Sequence, residues 1–106
     1  MKTANELNII AIESNIFRDL NILTRLIVKH IDSVLLYNAN TYGTTTYSFE
    51  LLPINLKYLI ESSTYNEAYV DNIVEFSKIR KYYTDLKYNT RIENNTIRVF
   101  VSKHIL

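Results

Sequence analysis

The residues of this chain best equipped for chemistry lie between positions 78 and 91, where cations alternate with tyrosines. Lys78, Arg80, Lys81, Lys87 and Arg91 face a single acid, Asp85, and are interleaved with Tyr82, Tyr83 and Tyr88. Cations neutralise phosphates and aromatic rings stack on bases, so this composition suits a nucleic-acid strand or a duplex backbone. Arg98 and Lys103 extend the set along the chain. Lys78, Arg80, Lys81, Tyr82, Lys87, Tyr88, Arg91 and Arg98 are therefore the expected nucleic-acid-binding residues.

A second constellation is acidic. Glu67, Asp71 and Glu75 are spaced four apart, which on a helix forms one carboxylate stripe. Such a stripe could hold a hard cation or a basic partner, but metal sites of that kind draw ligands from several segments. A solvated face near a helix N-terminus is the expected role, and there it would repel phosphates.

The remaining inventory excludes more than it offers. Two histidines, His30 and His104, are too few for a histidine-based metal site or a serine-histidine-aspartate arrangement with any redundancy. With no cysteine there is no thiolate nucleophile, zinc knuckle or disulfide. Gly43, the single glycine, cannot build a phosphate-cradling loop. No catalytic residue, metal or cofactor is expected, and the chain is not expected to be an enzyme.

The nine tyrosines suggest another activity, because tyrosine gives a large contact area at low entropic cost and is enriched where proteins meet. Tyr42 and Tyr47 flank a turn, and Tyr65 and Tyr69 surround a helix start. These four are the expected protein-binding residues, with Tyr37 and Tyr58 nearby.

Positioning such residues requires a fold, and the composition bounds it. At 106 residues, 47% hydrophobic and with a net charge of +1, the chain is expected to form one domain over 1–106 with one core and no general attraction to nucleic acid or membrane. No apolar run approaches the roughly 18 residues of a membrane span, and the polar start resembles no signal peptide. Cytoplasmic placement follows as an expectation. The bias to Ile, Asn, Tyr and Lys suggests an AT-rich genome, such as a low-GC bacterium or its phage.

Along the chain, the spacing Thr3 to Glu6 predicts a capping box and a first helical segment to Ser14-Asn15. From Ile16 the apolar residues Ile16, Leu20, Leu23, Ile27, Ile31 and Val34 or Leu35 recur at helical intervals and predict a long helix ending between Asn38 and Gly43. Residues 44–51 alternate Tyr47, Phe49 and Leu51 against Thr46, Ser48 and Glu50, which predicts a strand. Pro53 leads a short helix stopping at Ser62-Ser63, and a second capping box, Thr64 to Glu67, opens a longer helix. Alternation on both sides of Asn94-Asn95 predicts a hairpin.

The expected class is α+β: two N-terminal helical segments, a strand, two further helices and a C-terminal hairpin forming a small antiparallel sheet. Over residues 44–103 the order resembles that of a winged helix, a helix-turn-helix variant in which a hairpin follows the recognition helix. That resemblance is one of topology, and it is the alternative reading of the fold. Two functions follow. The first is a non-enzymatic protein-interaction domain, phage- or mobile-element-encoded, that binds a host or virion protein. The second is a small nucleic-acid-binding or transcription-regulating domain. Self-association is compatible with either.

Overall fold

The computed structural model describes residues 18–101. The helix expected over the first fifteen residues, Lys103 and His104 lie outside the described residues.

Helix α1 spans Ile22–Tyr42, strand β1 Thr46–Glu50, helix α2 Pro53–Glu61, helix α3 Phe76–Asp85, and strands β2 and β3 run Asn89–Glu93 and Thr96–Phe100. A short 3-10 turn, Glu67–Tyr69, interrupts the connector from α2 to α3. The strands form one antiparallel sheet in the order β1-β3-β2. This is the α+β arrangement expected from the sequence. Helix, strand, helix, helix and hairpin follow one another, with the first strand paired to the last.

The apolar period fixes which face of α1 turns inward. Leu20, Leu23, Ile27, Ile31 and Leu35 are all buried. The helix begins later than its apolar stripe, because the Asn21 side chain accepts a hydrogen bond from the Thr24 N–H and caps it. It ends at Gly43, where φ is 67° and the Thr44 N–H reaches back to the Asn38 carbonyl, closing the last turn in the left-handed conformation glycine adopts without a Cβ penalty.

In the sheet, Phe49, Ile97 and Val99 are buried, and Tyr47, Thr90 and Ile92 share their face. The opposite face carries Ser48, Arg91 and Arg98. Asn94 and Asn95 both have positive φ, the geometry of a type I′ turn whose twist matches that of the flanking strands.

One expected element differs. The longer helix predicted from Thr64 starts only at Phe76. Its local capping signal forms the 3-10 turn instead, with Asn66 accepting from the Ala68 N–H. Beyond it, α1 takes the backbone groups a helix would have used: the Asn21 amide donates to the Ile73 carbonyl, and the Glu75 N–H donates to the Thr24 hydroxyl. The run Val70 to Glu75 is rich in β-branched residues, so little intrinsic helix preference opposes this extended path.

Candidate nucleic-acid interface

Helix α3 has two unlike faces. Ile79, Tyr82 and Tyr83 are buried against the core. Ser77, Arg80, Lys81 and Thr84 recur at i, i+3, i+4 and i+7, so they share the opposite face, and all four are exposed. None of them forms an ion pair or hydrogen bond with the side chain of another described residue. Asp85 lies at the edge of this face. Lys87 follows in the left-handed conformation, with φ of 70°, and is also exposed.

The inward face is held by one carboxylate. The Tyr82 hydroxyl donates to Asp32 Oδ2 at 2.7 Å and the Tyr83 hydroxyl to Asp32 Oδ1 at 2.8 Å. The two rings meet edge to face at 4.9 Å between centroids, and Tyr88 packs on Tyr83 at 5.9 Å. Burial, reinforced by the adjacent Asp32 carboxylate, pushes the Tyr83 phenol far above its ordinary range. These contacts orient α3 on α1.

The expected binding residues are thereby divided. Tyr82 is buried with its hydroxyl engaged, which corrects its assignment as a stacking residue; the i+3 step from Ile79 carries it to the core side. Tyr88 is half-buried beside Tyr83. Lys78 is tied locally, with Nζ 2.8 Å from Glu75 Oε2 and donating to the Asp19 carbonyl at 2.9 Å. Its hydrogen bond, followed by one from the Asn21 N–H, holds the Glu75 carboxyl below the usual carboxylate range. Arg80, Lys81 and Lys87 remain exposed. Arg91 and Arg98 stand opposite each other on the outer face of the sheet, away from the helices, with Arg98 5.1 Å from the centre of the Phe100 ring.

The acidic stripe is not a stripe. Glu67 belongs to the 3-10 turn, Asp71 to the extended connector and Glu75 to the N-cap position of α3. No helix carries all three, because none forms between residues 70 and 75, and α3 does not open with a row of acids.

The tyrosines expected to bind protein lie on different elements. Tyr42 is exposed at the end of α1, in edge contact with Tyr37 at 6.1 Å. Tyr65 and Tyr69 are exposed in the connector. Tyr47 is half-buried, its hydroxyl 3.2 Å from His30 Nε2, and burial lowers the His30 pKa.

Ser77 and Thr84 were not singled out by sequence reasoning, although their spacing from Arg80 and Lys81 marks the same face. Asp32 gives no local signal. Among the described residues no helix is long and apolar enough to cross a membrane. No protein-family model, curated protein or solved structure matches the chain.

Proposed function

We propose that this protein binds duplex nucleic acid through the outward face of α3, without catalysis. The observation that carries the reading is the placement of that helix. It is the last helix before a hairpin whose second strand pairs with β1, the position of the recognition helix in a winged helix, and it turns Ser77, Arg80, Lys81 and Thr84 to solvent. Arginine and lysine serve guanine edges and phosphates, and small hydroxyls serve either, so this face combines positioning with reading. The carboxylates expected to oppose such binding are gone from the helix face, with Glu75 neutralised by Lys78. Work of this kind belongs to the compartment holding nucleic acid, the cytoplasm in a bacterial or phage setting.

The test is binding of a labelled duplex across a salt series. Log affinity should fall linearly with log salt, by about 0.9 per neutralised phosphate. The double variant R80A/K81A should weaken binding to every sequence and reduce that slope by roughly two contacts, whereas R91A/R98A should leave it unchanged. Equal losses from both double variants would remove α3 from its role.

A second reading, docking of a host or virion protein, is favoured by the exposure of Tyr42 and Tyr69, which are 66% and 79% accessible. It predicts binding insensitive to salt, with the cost concentrated at one tyrosine.

A further inference from the structure

The strand register arranges the outer face of the sheet in rows. Thr46, Phe100 and Asn89 form one row across the three strands, Ser48, Arg98 and Arg91 the next, and Glu50, Thr96 and Glu93 the third. The middle row is exposed along its whole length and carries two cations side by side. Directly opposed residues hold their Cβ atoms about 4.5–5.5 Å apart, and like charges in that relation are destabilising.

Neither charge has a firm partner within the fold. The Arg98 guanidinium forms no ion pair or hydrogen bond with another described residue, and its contact with the Phe100 ring places the charge against an aromatic face. Among the described residues Arg91 meets one acid, Glu93, with Nε 3.7 Å from Oε1 and the two side chains 65% and 66% exposed. A pair so open to water contributes little. The sheet therefore keeps two adjacent arginines whose repulsion its own acids do not offset, with the Ser48 hydroxyl next to Arg98 in the same row.

We infer that Arg91 and Arg98 together bind a carboxylate on an acidic segment of a protein partner. Charge complementarity names this occupant. The arginine fork matches a carboxylate with two parallel hydrogen bonds, and one carboxylate set between the two guanidinium groups removes their repulsion. The neighbouring row separates this anion from a nucleic acid. Glu50 and Glu93 stand one row away, on β1 and β2. A phosphate backbone repeats its charge along its length and would bring further phosphates against these acids. A discrete carboxylate meets the arginines alone. The inference does not depend on the nucleic-acid reading of α3.

The probe is a blocked pentapeptide with one central glutamate, titrated at low salt into the isotope-labelled full chain, with its glutamine counterpart as the uncharged control. The glutamate peptide should shift the amides of Ser48, Arg91, Arg98 and Phe100, and the glutamine peptide should shift none of them. R91Q/R98Q should weaken binding of the glutamate peptide at least about tenfold. K29Q/K57Q removes the same charge from exposed positions elsewhere and should change binding less than about twofold. A short duplex should leave the bound peptide in place. Shifts centred away from Arg91 and Arg98, no shift at millimolar peptide, equal weakening by the two double variants, or displacement of the peptide by the duplex would each overturn the proposal. If R91Q/R98Q fails to fold, the titrations of the native chain decide.

Discussion

Helix α1 grips the segment carrying α3 at two places, and the two grips differ in depth and purpose. In the middle of α1, Asp32 accepts from Tyr82 and Tyr83 where both rings are buried. At the start of α1, Asn21 and Thr24 hold the backbone of residues 73 and 75 near the surface. The first grip orients α3 about its own axis, and with it the direction of Arg80 and Lys81. The second decides where α3 begins. Depth sets the energetic difference, since a buried donor stripped of its partner costs more than a surface cap lost to water.

Replacing Asp32 should break the deeper grip with the largest effect. D32A removes the carboxylate that both buried tyrosine hydroxyls share and leaves Tyr83 only the Val28 carbonyl at 3.4 Å, an expected cost of about 2–4 kcal/mol, read as a lowered denaturant midpoint. N21A should cost about 1 kcal/mol and act locally, raising amide exchange over residues 70–76 while the centre of α3 stays protected. A loss as large as that from D32A would reverse the comparison.

The smallest expected effect lies outside both grips, at His30. Burial lowers its folded pKa below 6.5, so the unfolded chain binds the proton first as pH falls. Stability is then fully present above pH 6.5 and declines below it until His30 itself protonates in the folded protein. Because the ring is only partly buried, the decline should be the smallest of the three effects. H30N should flatten it when unfolding midpoints are compared across that range.

Parts of this arrangement are written plainly in the sequence. Leu23, Ile27, Ile31 and Leu35 keep a helical period, and the buried face of α1 follows. Asn94-Asn95 between two alternating runs specifies the hairpin, because asparagine tolerates the positive φ both positions require. The start of α3 was illegible for a physical reason: the local signal at Thr64 to Glu67 competes with hydrogen bonds made by Asn21 and Thr24, which lie 52 and 51 residues from the backbone groups they hold. That misplacement also hid the site. A helix assumed to run from residue 64 puts acids ahead of Arg80 and counts Tyr82 as available, whereas a helix beginning at Phe76 turns Tyr82 to Asp32 and leaves Ser77 and Thr84 beside the cations. Asp32, one polar residue on an amphipathic helix, carries no mark of its two tyrosine partners until the fold brings them together.

The most direct test of the central claim is an NMR titration of isotope-labelled protein with a short duplex. Amide shifts confined to Ser77, Arg80, Lys81, Thr84 and the adjoining Lys87, with the outer sheet face around Arg91 and Arg98 undisturbed, are the result this account predicts. Shifts centred on Arg91 and Arg98, or none at any salt concentration, would contradict it.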